Sequence, residues 1–101
     1  MRAKASTIIE LTVQNHPGVM SHITGLFSRR AFNLEGILCA EIGDGARSRM
    51  YLLVKRDQRI PQILKQLSKL YDVEEIVLRE DYDHTLFNRL HELVKRKAAN
   101  E

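Results

Sequence analysis

The spacing of apolar residues in this chain switches from a period of two to a period of about 3.6 and back, and then does so a second time. Residues 7–13 alternate, with Ile9, Leu11 and Val13 on one side and Ile8, Glu10 and Thr12 on the other, as a strand requires. From Gly18 the period lengthens. Val19, Ile23, Leu26 and Phe27 fall at i, i+4, i+7 and i+8, one stripe of a helix reaching about Ala31. Residues 34–41 return to strand character, and "GDGARS" supplies a turn in which Gly43 and Gly45 are free to take positive φ. Residues 49–55 alternate again, with Met50, Leu52 and Val54 opposed to Tyr51 and Leu53. Asp57 is placed to cap a second helix that has Pro61 near its first turn and Ile60, Ile63, Leu64, Leu67 and Tyr71 along one face. Residues 73–79 read as a fourth strand. After the acidic stretch "REDYD", a last helix over residues 85–97 carries Leu86, Phe87, Leu90, Leu93 and Val94 in register.

The order βαββαβ, built from two similar βαβ halves with right-handed crossovers, predicts an α+β ferredoxin-like sandwich. Its antiparallel sheet has the order 4-1-3-2, with two helices on one face and the C-terminal helix added. A chain of 101 residues has room for one modest core. Residues 1–80 make that domain, and residues 81–101 make an acidic linker and an amphipathic helix. Two helices cover only one side of the sheet. Ile8, Tyr51, Leu53, Val77 and either Ile37 with Cys39 or Leu38 with Ala40 must face the other side, so the tail helix or another chain has to cover it. The second strand lies at an edge, and "LEGILCAE" has no proline, no lysine and only two charges to discourage pairing. A homodimer through this edge strand, from Leu34 to Glu41, follows as the expectation.

Hydrophobic residues at 44% and charged residues at 29% describe a chain that folds. The net charge of +3 is scattered without a long block, which reads as a solvated surface rather than a nucleic-acid stripe. A single cysteine, Cys39, excludes an intrachain disulfide and fits a reducing cytoplasm. The start has no signal-peptide core, and no run approaches the roughly 20 apolar residues of a membrane span. The expectation is a cytoplasmic protein with no membrane partner.

Chemistry-bearing motifs are sparse. There is no GxxxxGK[ST] or GxGxxG phosphate cradle. His16, His22, His84 and His91 are not set at zinc spacings with Cys or carboxylates, and His84 and His91 read as surface residues. Cys39, in a strand without a cationic neighbour, reads as a small hydrophobe. The pairs Glu74–Glu75 and Glu80–Asp81 point to opposite faces of an extended chain. A non-catalytic binding module without metal or cofactor of its own is expected. RNA binding is the alternative, because the RRM shares this topology. The third strand, "RMYLLVKR", offers only Tyr51 for stacking, which ranks no nucleic acid above it.

The stretch "NHPGVM", residues 15–20, opens the first helix. First-turn N–H groups lack internal partners and carry partial positive charge, yet residues 17–23 hold no acid. Gly18 removes a side chain where a ligand would approach, and Asn15 can cap the helix or turn outward as a two-way hydrogen bonder. That suits the carboxylate of a small molecule that also carries an ammonium group. A plain cap and turn explains the same residues. What shifts the balance is Asn33, in "RAFNLEG", at a junction two protomers would share; its bland reading is a turn residue in the left-handed region.

At this point the residues amount to a family likeness. Residues 11–37, "LTVQNHPGVMSHITGLFSRRAFNLEGI", resemble the N-terminal ACT domain of the small regulatory subunit of acetohydroxyacid synthase, also called acetolactate synthase. The run N-x-x-G, then G-L-F-x-R-R, then [FY]-N-[LI]-E carries the resemblance, which continues more loosely through "SRMYLLV" and "QILKQLSKLYDV". It implies a dimer that binds a branched-chain amino acid, usually valine, at two equivalent interface sites. It implies too that the dimer activates and feedback-regulates a catalytic subunit, and thiamine diphosphate, Mg and FAD are expected in that partner only. Carried over by position, Asn15 and Gly18 belong to the ligand loop, with His16, Pro17, Val19 and Met20 supplying backbone amides and walls. Asn33 comes from the neighbouring protomer, and Leu34 and Ile37 are apolar candidates near the ligand side chain. Ala31 stands where many members have glycine, Met20 where leucine is common and His22 where arginine is common. Many members have a second domain after the ACT module, and this chain resembles the short form without it. A stand-alone ACT effector-binding module, acting without a catalytic subunit, is the competing function.

Overall fold

A computed structural model describes residues 6–83 and 85–99; His84, read above as a surface residue, lies outside them. The elements in chain order are β1 (Ser6–Gln14), α1 (Val19–Arg29), β2 (Leu34–Ile42), β3 (Arg47–Lys55), α2 (Ile60–Ser68), β4 (Val73–Arg79) and α3 (Leu86–Ala99). The strands form one antiparallel sheet in the order β2-β3-β1-β4, the expected 4-1-3-2 read from the other edge. Ile9, Leu11 and Val13 of β1 and Met50, Leu52 and Val54 of β3 are buried against Val19, Ile23, Leu26 and Phe27 of α1 and Ile60, Ile63 and Leu67 of α2. Alternation in the strands and the 3.6-residue stripe in the helices meet in this one layer.

Helix α1 stops at Arg29, two residues before the expected end. Ala31 takes φ 53, its N–H donates to the Ser28 carbonyl oxygen, and the Phe32 N–H donates to that of Phe27. These are the two bonds of a Schellman stop with alanine in the left-handed position that glycine usually fills. The accompanying apolar contact is Phe27 against Phe32, ring edge to ring face at 5.7 Å. The left-handed residue of this turn is therefore Ala31 and not Asn33.

Two expectations for α2 are corrected. Tyr71 is 85% exposed, because α2 ends at Ser68 and the helical spacing that put Tyr71 on the apolar face no longer applies; Leu70 packs against the core instead. The N-cap residue is Arg59, not Asp57. Asp57 still serves the helix start from two residues back, accepting the Arg59 N–H at 2.7 Å and gripping its guanidinium, which stands 4.8 Å over the Phe32 ring.

The pairing of Leu38 with Tyr51 and Cys39 with Met50 decides the second strand. Leu38 and Ala40 lie on the open face, Ile37 and Cys39 on the core face. An irregularity between Leu34 and Gly36 brings Gly36 opposite Leu53. There α3 begins to cover the sheet: a Cβ on Gly36 would come within 3.2 Å of the Phe87 ring. Ile8, on the same face, is 2% exposed. The stripe expected for the tail helix is split, since Leu93 and Val94 further along are exposed. Further down the open face Glu10 lies between Arg79 at 2.8 Å and Arg49 at 3.6 Å. Among the described residues no helix is long and apolar enough to cross a membrane.

Candidate functional site

The loop between β1 and α1 is tied at both flanks by its own backbone. The Gln14 N–H donates to the Asp72 carbonyl oxygen and the Asn15 N–H to that of Ala46, so the loop is clamped between the α2–β4 connection and the β2–β3 hairpin. Gly18 then enters α1 as its N-cap with φ 92, a left-handed conformation that L side chains rarely adopt. It gives the helix no side-chain cap, the first turn has no acid, and beyond the adjoining residues no described atom stands within 4 Å of where a Cβ on Gly18 would be. The Val19 N–H turns back to the His16 carbonyl oxygen and the His22 N–H to that of Gly18. Among the described hydrogen bonds none uses the N–H groups of Gly18, Met20 or Ser21. The positive end of the helix dipole therefore opens onto free space.

Asn15 takes the outward role. Its Nδ2 donates to the Gly45 carbonyl oxygen at 2.8 Å and to Glu41 Oε2 at 3.3 Å, leaving its amide oxygen without a described partner. Pro17 is exposed in the turn and Met20 is 39% exposed, whereas the Val19 side chain is buried in the core, so only its backbone belongs to the loop. Asn33, Leu34 and Ile37 are elsewhere. Leu34 pairs with Val54 and Ile42 with Arg47, which places Asn33 at one end of β2 and Asn15, beside Glu41, at the other. One strand of 9 residues separates them, about 30 Å at roughly 3.3 Å per residue. Asn33 is exposed, Leu34 packs on its own core, and Ile37 is 38% exposed on the edge.

One feature of the loop was not read from the sequence. His16 Nε2 bonds Asp72 Oδ1, His22 Nδ1 lies 3.2 Å from Asp72 Oδ2, and His16 Nδ1 lies 2.7 Å from the Pro17 carbonyl oxygen. Asp72 is 4% exposed. The three side chains line a groove of about 570 Å³ between α1 and the α2–β4 connection, together with Ser21, Arg29 and Lys69.

Residues 9–75 match the family described as AHAS small subunit-like ACT domain. The chain belongs to that family. Over 85 residues it is 54% identical to the acetolactate synthase isozyme 1 small subunit of Escherichia coli K12, spanning 84% of this chain and 88% of the relative. It is 40% identical over 78 residues to the acetolactate synthase small subunit of Haemophilus influenzae, of which it spans 48%. The crystal structure of the acetolactate synthase small subunit from Thermotoga maritima superposes with a TM-score of 0.66 at 35% identity, covering 77% of this chain and 47% of that one. The regulatory subunit of aspartate kinase from Thermus thermophilus gives the same TM-score at 22% identity and shares the fold. Membership of the small-subunit family makes this a regulatory chain and not a catalytic one.

The electrostatics of this ACT domain centre on the loop. The hydrogen bond to Asp72, and then that to Pro17, raises His16 above the ordinary histidine value against the opposing effect of burial. The same contact, aided by His22, holds the Asp72 carboxyl below the usual carboxylate range. Cys39 goes the other way: burial pushes its thiol up, which keeps it protonated and unreactive. Among the described residues no group of three or more His, Cys, Asp or Glu side chains is arranged to hold a metal ion.

Proposed function

We propose that two copies of this ACT domain pair antiparallel through β2 and bind a branched-chain amino acid, with valine as the usual effector, at two equivalent sites along the seam. Occupancy would then alter how the dimer activates the catalytic subunit of acetohydroxyacid synthase in the cytoplasm. The observation that carries this reading is the division of the site: an open, uncapped helix start at one end of β2 and Asn33 at the other. A two-fold axis at Leu38, the middle residue of β2, sets Asn33 of the partner subunit opposite Gly43, beside the hairpin that Asn15 grips. A chain that cannot close the site alone closes it twice as a dimer.

The chemistry follows from the parts. The N–H groups of Gly18, Met20 and Ser21 receive the effector carboxylate, as helix starts do. The amide oxygens of Asn15 and of the partner's Asn33 accept from its ammonium group. Met20 borders the aliphatic tail together with the partner's Ile37 and the partner's Leu34. Discrimination among branched-chain amino acids is modest, since one methylene is worth about 1 to 3 kcal/mol. The effector regulates by binding one arrangement of the subunit on its partner better than another. Thiamine diphosphate, Mg and FAD belong on this reading to the catalytic partner. Residues 1–80 form the effector module, and residues 81–101 reach the enzyme through the outer, exposed part of α3, where Leu93 and Val94 stand.

Isothermal titration of the full chain with valine tests the first step. Saturable binding that Asn15→Ala weakens and Gly18→Asp abolishes supports the site; binding unaffected by both overturns it.

A further inference from the structure

The His16 ring faces two acceptors at once, Asp72 Oδ1 at Nε2 and the Pro17 carbonyl oxygen at Nδ1. A neutral imidazole has one N–H and can donate to only one of them, whereas an imidazolium donates to both. Asp72 is the fixed end of this pair. It is buried, its carbonyl oxygen is held by the Gln14 N–H, and its second carboxylate oxygen faces His22. Loss of a proton from His16 is therefore felt at Pro17. That carbonyl stands four residues before Ser21 and is the acceptor its N–H would take if α1 began one residue earlier. The His16 ring occupies that oxygen, and the Ser21 N–H stays open at the helix start.

We infer that His16, gripped by Asp72, is a positioning residue of the effector site: as an imidazolium it pins the Pro17–Gly18 peptide, keeps the α1 N–H groups open to a carboxylate, and makes effector binding take up a proton. This rests on the effector site proposed above. The charged and titratable groups that line the groove with the ring are His22 and Arg29 from α1 and Lys69, Tyr71 and Asp72 from the α2–β4 connection, while Glu41 of β2 bonds the neighbouring Asn15. Arg29 and Lys69 oppose a further positive charge in the groove, and Asp72 offsets it. A bound carboxylate adds a second negative charge nearby, so protonation and occupancy rise together. The raised value of His16 sets the sign. The pinned form is complete at low pH and is lost as pH rises through that value, with affinity falling by up to about tenfold per pH unit beyond it.

The test combines two readings on the full chain between about pH 6 and about pH 9, the window in which a raised histidine titrates. By NMR, the Gly18 amide shift should follow the titration of the His16 ring, and should lose that titration in His16→Gln, whose side-chain amide can donate to Asp72 but cannot change charge. Asp72→Asn should move the His16 midpoint down. By calorimetry with valine in buffers of different ionisation enthalpy, binding should take up protons, and in His16→Gln the affinity should vary by less than about twofold across the range. A Gly18 amide indifferent to His16 overturns the inference, as does valine binding without proton uptake while the effector site itself stands. Valine failing to bind at any pH, with Gly18 still following His16, overturns the effector reading and supports the pinned peptide.

Discussion

Asn15 reaches across to the β2–β3 hairpin, donating from Nδ2 to the Gly45 carbonyl oxygen at 2.8 Å instead of capping the helix that starts four residues later. The loop that would hold an effector is thus fastened to the turn that a second β2 strand would approach. Removing the amide in Asn15→Ala releases that link and an acceptor for the ligand's ammonium. Valine affinity should fall at least about tenfold, the worth of a hydrogen bond to a charged group, while thermal unfolding shifts little. Calorimetry and a melting curve on the same sample check both halves.

Gly18 separates conformation from space. Its φ of 92 disfavours any side chain, yet a Cβ there meets nothing within 4 Å. Gly18→Ala should therefore destabilise the fold by about 1 to 2 kcal/mol through backbone strain alone. Urea unfolding measures it. Gly18→Asp carries the same strain but sets a carboxylate beside the open N–H groups, where it competes with the effector, so its loss of valine binding should exceed that of Gly18→Ala.

Ala31 offers the opposite sign. It holds the left-handed position of the stop after α1, with φ 53. Ala31→Gly should stabilise the domain by about 0.5 to 1 kcal/mol, the relief of strain outweighing the added freedom of the unfolded chain. A rise in the urea midpoint at unchanged slope is the expected result.

How much of this was open to sequence reasoning depended on whether the deciding contact was local. The faces of β1 and β3 followed from alternation, because polar residues mark one side of β1 and the apolar triplet Met50, Leu52 and Val54 is consistent on β3. "GILCA" in β2 is apolar on both faces, so only its register with β3, shifted at Leu34/Gly36, shows that Leu38 and not Cys39 looks outward. Tyr71 kept the helical spacing on paper after the helix had ended. The pairing of His16 with Asp72 spans 56 positions and exists only because β1 and β4 lie side by side. Two histidines flanking a helix start, with an acid at the entry to the neighbouring strand, were the available signal.

Asp83 governs the start of α3. Its carboxylate accepts from the Thr85 N–H and Oγ1 and from Arg89, which holds it down to about 2. Because the folded value lies below the ordinary one, its support is present above about pH 4 and is lost as pH falls toward 2. Amide exchange over residues 86–90 should quicken in that window before the sheet does, and Asp83→Ala should show the same loosening at neutral pH.

The central claim is that each site is built from two chains, and a mixing experiment tests it most directly. In Asn15→Ala and in Asn33→Ala dimers every site lacks one amide. A heterodimer of the two has one site with both lost and one intact. Calorimetry with valine on an equimolar mixture, unfolded and refolded together, should recover about a quarter of the wild-type sites at wild-type affinity, since half the dimers are mixed. Recovery of none, with both variants folded and dimeric, would contradict a site shared across the seam.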